Sequence, residues 1–129
     1  MTTLIRSRSV SIHVAAGLTL FFAISSLRAQ FIYEQLQSFG LSADSGGHPM
    51  SAPIEGLDGR LYGSTPLGGI ANLGSLYRAD RNGSELRFIH SFAGPEGASP
   101  SARLAQDATG RLFGTTQGGG SSDQGVVYS

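Results

Sequence analysis

Beyond residue 30 the chain alternates apolar and polar positions in short bursts, and turn residues separate the bursts. Leu86, Phe88, His90 and Phe92 interleave with Glu85, Arg87, Ile89 and Ser91, the two-residue period of a half-buried strand. Similar runs lie at Ser51–Glu55, Arg60–Thr65 and Ser75–Ala79, and again at Ala102–Gln106, Arg111–Thr116 and Val126–Ser129. Phe31–Phe39 is a further strand candidate, with Phe31, Tyr33 and Gln35 set against Ile32, Glu34 and Leu36. Asp58-Gly59 and Asn82-Gly83 lie between strands. They are dipeptides of a two-residue hairpin, whose central residues both take positive φ. No stretch beyond residue 30 sustains a helical period. The expected fold is all-β, with antiparallel blades of four strands, as in a partial β-propeller.

The bursts also repeat. Laying Pro49–Arg78 on Pro100–Ser129 without a gap, an offset of 51, gives 10 identities in 30 positions. The shared signature is Gly59, Leu61, Tyr62, Gly63, Thr65, Gly68, Gly69, Gly74 and Tyr77 in the first copy. In the second it is Gly110, Leu112, Phe113, Gly114, Thr116, Gly119, Gly120, Gly125 and Tyr128. His90 and Phe92 close the first copy, and Leu36-Gln37-Ser38-Phe39 aligns with Ile89-His90-Ser91-Phe92. The expected organisation is a partial blade at 31–48, repeat one at 49–99 and an incomplete repeat two at 100–129. Four strands in about 50 residues is the size of one propeller blade. A β-solenoid is the competing reading, but its rungs are parallel, whereas hairpin dipeptides demand antiparallel neighbours.

Charge and composition narrow the setting. The charged fraction is 14% and there is no cysteine, so a disulfide framework, a thiol nucleophile and a Cys-ligated metal are excluded. Met1–Ala29 has the layout of a secretory signal: Arg6 and Arg8, an apolar core at Val10–Ile24, and small Ala29 before the cut. Cleavage after Ser25 is an alternative, and the apolar run is shorter than the roughly 20 residues of a membrane span. Removing that segment leaves six Arg against nine Asp and Glu, which argues against nucleic acid or an anionic membrane as partner. The expected location is secreted or cell-surface, with no stable membrane insertion after cleavage.

The ordered set Asp-Gly-x-Leu-Tyr-Gly-Ser-Thr, Gly-Gly, Gly-x-Leu-Tyr and His-Ser-Phe resembles the Gloeo_Verruco (GloVer) tandem repeat. That repeat runs Asp-Gly-Asn-Phe-Tyr-Gly-Thr-Thr, Gly-Gly, Gly-Thr-Val-Phe-Lys and Leu-His-Ser-Phe. The resemblance covers most of residues 31–129. It implies an exported, propeller-like protein with many tandem copies and often a surface anchor, and brings no catalytic residues. Arg60 and Arg111 depart from its Asn, Ser64 from its first Thr, and Thr109 from its turn Asp.

Candidate chemistry is sparse. There is no Gly-x-Ser-x-Gly elbow, no Gly-Lys-Ser/Thr phosphate loop and no tandem Ca²⁺ nonapeptide, since Asn72 stands where the second copy has Asp123. No cofactor or metal is expected. His90 reads as a packed, hydrogen-bonded residue of every blade, and His48 as an exposed loop residue. Arg60 and Arg111 read as exposed cations paired with Asp58 or Glu55. Asn82-Gly83-Ser84 reads as a turn rather than a glycan site. The expected function is a secreted binding or structural module for an extracellular protein or polysaccharide. A propeller lyase or hydrolase is the alternative, with His48 its visible candidate. Two copies leave sheet edges uncovered, so further repeats beyond Ser129, or other subunits, are expected to close a ring.

Overall fold

In the computed structural model, residues 32–40 and 45–129 are described, and the signal-like segment Met1–Ala29 lies outside them. Among the described residues ten strands follow one another: β1 (Gly46–Gly47), β2 (Ile54–Glu55), β3 (Leu61–Thr65), β4 (Leu67–Gly68), β5 (Ser75–Ala79), β6 (Arg87–Ser91), β7 (Ala98–Pro100), β8 (Ala105–Gln106), β9 (Leu112–Gly118) and β10 (Val127–Tyr128). The described residues are all-β, and every strand pairing is antiparallel. The first copy folds as a four-stranded meander in the order β2-β3-β5-β6. In the second copy β9 is central, with β10 on one edge and both β7 and β8 on the other.

The internal repeat holds at the level of register. Ile54 faces Tyr62 as Ala105 faces Phe113, and Gly63 faces Tyr77 as Gly114 faces Tyr128. The equivalence reaches back to a strand that the apolar pattern does not reveal: Gly47 faces Leu67 as Ala98 faces Gly118. Such a short run of Gly, Ala, Ser and Pro carries no alternation to detect. β9 is continuous where the first copy breaks into β3 and β4, because Pro66 stands in place of Gln117 and has no N–H for the ladder.

Two expectations need correcting. Phe31–Phe39 is not a strand where it is described: residues 32–40 join no sheet, and 32–38 are exposed. A strand needs a neighbour for its backbone groups, and none is present beside this segment among the described residues. The hairpins are also not two-residue loops. Gly59 N–H donates to Gly56 O (2.9 Å) and Gly56 N–H to Arg60 O (2.8 Å), with the same pair of bonds across Asp80–Ser84 (2.8 and 2.9 Å) and Asp107–Arg111 (3.1 and 3.0 Å). Only the glycines have positive φ: Gly59 77°, Gly83 80° and Gly110 91°. Each loop is therefore a type I turn closed by a left-handed glycine, which needs one such residue instead of two.

The core is thin and partly polar. Ile54, Tyr77, Ala79, Phe92 and Leu104 are its buried apolar members. Thr65 and Ser75 are fully buried beside them and satisfy each other across 2.9 Å, while Thr65 Oγ1 also donates to Leu67 O at 3.0 Å. The two sheets meet through backbone as well as side chains. Ser99 N–H donates to Leu73 O (2.7 Å) and Leu57 N–H to Gln106 Oε1 (2.8 Å).

Candidate functional site

Several of the repeated signature residues form matched pairs, one within each copy. Gly63 and Gly114 have no positive φ; they are glycine for want of space. A Cβ on Gly63 would lie 2.4 Å from Tyr77 Oη, and one on Gly114 2.2 Å from Tyr128 Oη. The missing side chain lets the facing tyrosine lie flat across the neighbouring strand, so Gly63/Tyr77 and Gly114/Tyr128 are matched pairs. Each tyrosine then receives a phenylalanine edge-on from the preceding His-Ser-Phe or Gln-Ser-Phe segment. Phe39 meets Tyr77 at 5.0 Å and 65°, and Phe92 meets Tyr128 at 5.2 Å and 63°. These are favourable edge-to-face geometries. The alignment of Phe39 with Phe92 therefore carries a contact, although Phe39 belongs to no strand.

The long loops repeat bond for bond. Gly68 N–H donates to Asn72 Oδ1 (2.9 Å), and Gly119 N–H to Asp123 Oδ1 (2.7 Å). Gly74 N–H closes each loop on Gly68 O (3.0 Å), as Gly125 does on Gly119 O (3.1 Å). Asn72 and Asp123 sit at φ 54° and 53°, in the left-handed region that Asn and Asp tolerate best. An acceptor oxygen and that φ are what the position requires, so amide and carboxylate interchange. No group of three or more His, Asp or Glu able to hold a metal occurs among the described residues.

The turn acids show a coupled change. Tyr62 Oη donates to Asp58 Oδ2 at 2.9 Å, and Asp58 Oδ1 accepts Arg60 N–H at 3.2 Å. The Tyr62 hydrogen bond is the main cause that holds Asp58 below the usual carboxylate range, helped by Arg60 and opposed by burial. The second copy has lost both partners, with Phe113 for Tyr62 and Thr109 for Asp58. Asp107 takes over from two positions earlier: its Oδ1 accepts Thr109 Oγ1 (2.6 Å), Thr109 N–H (2.9 Å) and Arg111 N–H (3.0 Å). Its carboxyl is likewise lowered, with the Thr109 hydroxyl as the first cause. An Asp opening a turn that Gly closes, as in Asp107-Ala108-Thr109-Gly110, was the available signal for this residue.

Charged side chains lie at the sheet ends. Arg60 pairs with Asp58 (3.4 Å), as expected, and also with Asp80 (3.2 Å), tying two neighbouring turns together. Glu55 pairs with Arg81 instead. These pairs are exposed, so solvent screens them and they contribute little to stability. His48 is exposed at φ 56°, and its equivalent Ser99 has φ 53°; a left-handed bend is their shared property.

His90 differs from expectation. It is about half exposed, and the facing register jumps from Tyr77↔Phe88 to Leu76↔His90, leaving Ile89 as an extra bulged residue. The bulge breaks the alternation that placed His90 on the Phe88 face. His90 stands edge-on to Phe92 (4.8 Å), with Nε2 4.0 Å from Glu96 Oε1. Glu96 Oε1 also accepts Ala93 N–H at 2.9 Å. With Leu76, Phe92, Tyr128 and Ser129 the pair lines an open groove of about 340 Å³. An aromatic floor rimmed by an imidazole and a carboxylate suits a hydroxyl-bearing ligand. A second groove of about 340 Å³ runs under Tyr33–Phe39 against Leu61, Tyr77, Ala79 and Leu86.

Antiparallel sheets of one design, joined by a repeated aromatic contact, define an all-β tandem-repeat protein. The chain belongs to the Gloeobacter/Verrucomicrobia repeat family, whose model matches residues 15–129. Neither a curated protein nor a solved structure matches it.

Proposed function

We propose that the chain is a secreted or cell-surface binding or structural module. Its repeats act as blades of a propeller-like ring, and the groove at their joint receives an extracellular protein or polysaccharide. The supporting observation is that several positions repeated in both copies have equivalent packing or hydrogen-bonding roles in both. Gly63/Gly114 lie under Tyr77/Tyr128, Thr65/Thr116 donate to the equivalent carbonyls Leu67 and Gly118, and Asn72/Asp123 accept from the equivalent Gly68 and Gly119 N–H groups. An active site needs an asymmetric set of groups, and positions repeated in every copy do not supply one. The His90–Glu96 groove at the joint is accessible and polar on one wall, as a ligand-holding surface requires.

The test is direct. The exported protein, purified from culture medium, is passed over arrays of extracellular polysaccharides and surface proteins and assayed for release of sugar or ester products. Retention that weakens in His90→Ala and Glu96→Ala, without turnover, is the expected result. Turnover that disappears in His48→Ala would favour the lyase or hydrolase reading instead. Intact mass of the same material is expected to begin at Gln30; a mass retaining Met1–Ala29 would overturn the secreted form.

A further inference from the structure

We propose that Asn82 is a glycan acceptor, taking a saccharide on Nδ2 from a donor sugar with a diphosphate leaving group at C1. This rests on the secreted reading, since an Asn-x-Ser/Thr acceptor belongs to a surface loop of an exported chain. Asn82-Gly83-Ser84 is the one such triplet in the sequence, which holds only two asparagines, Asn72 and Asn82. The triplet lies in the turn between β5 and β6. Forming that turn, as the sequence predicts, does not remove the acceptor but presents it.

The turn fixes its own geometry. Asp80 N–H donates to Ser84 O (2.9 Å) and Gly83 N–H to Asp80 O (2.8 Å). Gly83 is buried, and a Cβ there would lie 2.3 Å from Leu36 O. The turn thus rests on its glycine, while Asn82 and Ser84 on either side are exposed. Asn82 Oδ1 accepts from Ser84 N–H (3.0 Å) and from the Ser84 hydroxyl (2.7 Å). The same hydroxyl lies 3.5 Å from Asp80 Oδ2, too far to compete. Nδ2 of Asn82 makes no hydrogen bond among the described residues. The triplet therefore holds the amide oxygen itself and leaves the nitrogen free for chemistry. Asp80, paired with Arg60 at 3.2 Å, sets a carboxylate two positions before Asn82, an anionic handle for an enzyme that must find this turn.

An amide nitrogen is a weak nucleophile, because its lone pair is delocalised into the carbonyl. Two donors on Oδ1 stabilise the negative charge that gathers there as Nδ2 gives up a proton. In the transfer Nδ2 attacks C1 of the donor sugar and a C1–N bond forms. The C1–O bond to the diphosphate breaks, and the diphosphate leaves with the bonding pair. One proton passes from Nδ2 to a base of the transferase. Asn82 lies beyond the last β5–β6 pair, Arg78↔Arg87, so the saccharide adds a bulky, hydrophilic group without disturbing strand pairing.

The test is a mass measurement. The protein is purified from its native organism and cleaved after arginine, which frees Asn82–Arg87 as one peptide. Saccharide mass is expected on that peptide in the native chain and in Ser84→Thr, which keeps the hydroxyl. It is expected to be lost in Asn82→Gln and in Ser84→Ala. Both positions are exposed, and matched urea midpoints check that the variants fold. Enzymatic release of the saccharide by amide hydrolysis is expected to convert Asn82 into aspartate. Saccharide that persists in Asn82→Gln would overturn the proposal. Export is read separately, from the N-terminal peptide. A chain beginning at Gln30 with bare Asn82 overturns the acceptor alone, and one that keeps Met1–Ala29 yet carries saccharide on Asn82 overturns signal cleavage alone.

Discussion

Tyr128 presents the sharpest local conflict in the molecule. Its ring is held over Gly114, which places the hydroxyl where it is buried and has no hydrogen-bond partner. Burial pushes its pKa up from 10.0 to about 12, because the phenolate would lose its water. A raised pKa means a contribution to stability that is intact below pH 10 and lost as pH climbs toward 12. Tyr128→Phe keeps the ring against Phe92 and removes the orphaned hydroxyl. Equilibrium unfolding is expected to show no loss at pH 7, or a gain of up to about 1 kcal/mol, and a shallower decline between pH 10 and 12. The glycine partner makes the complementary case. Gly63→Ala is expected to cost about 1–3 kcal/mol through overpacking, measured by urea denaturation. In a Tyr77→Ala background the same change is expected to cost little, since the ring it strikes is gone. An equal cost in both backgrounds would show that the tyrosine is not the reason for the glycine.

At the scale of elements, the Gly68–Gly74 and Gly119–Gly125 loops are built on one acceptor at a left-handed residue. Exchanging Asn72→Asp and Asp123→Asn is therefore expected to change stability by less than about 0.5 kcal/mol. Asn72→Ala leaves Gly68 N–H without that acceptor and is expected to cost about 0.5–1.5 kcal/mol by the same denaturation measurement. This loop also marks how far the sequence could be read. Strands β3, β5 and β6 were legible because alternation and flanking glycines agree there, and the 51-residue offset carried them to β9 and β10. β1 and β7 were not legible, because they are short and contain no alternating apolar residues. The hairpin positions were readable from Asp-Gly and Asn-Gly, but not their loop length. That depends on Gly56 N–H, Asp80 N–H and Asp107 N–H reaching one residue further along the partner strand. Phe31–Phe39 has the composition of a strand, yet strand formation depends on a neighbour that composition does not encode. His90 was misplaced for a similar reason, since the bulge at Ile89 arises from pairing with β5. The groove pair of His90 and Glu96 needed the fold itself, because five residues separate the two and only the first, Ser91, is in a strand.

For the whole molecule, the joint between the two sheets is decisive. Repeat proteins gain stability from contacts between neighbours as much as from each repeat. Phe92 is the most buried large side chain, 1% exposed. It donates its backbone N–H to Gly74 in the first copy and packs its ring on Tyr128 in the second. It therefore belongs energetically to both. Phe92→Ala is expected to cost about 3–5 kcal/mol, as for other fully buried aromatics. The shape of the transition matters more than the total. The second copy holds Leu104 and Thr116 as its buried side chains beside Pro100, whereas the first keeps Ile54, Thr65, Ser75, Tyr77 and Ala79. Without the phenylalanine ring, the second sheet is expected to melt first, and unfolding followed by hydrogen exchange is expected to split into two steps. Amides of β9 and β10 would then exchange ahead of those of β3 and β5. Phe39→Ala removes a less buried ring from the outer face of Tyr77, so its cost is expected to be smaller and to leave a single transition. If Phe92→Ala instead unfolded both copies together with an unchanged denaturant slope, their coupling would have to run through the hydrogen bonds from Ser99 to Leu73 and from Leu57 to the Gln106 side chain.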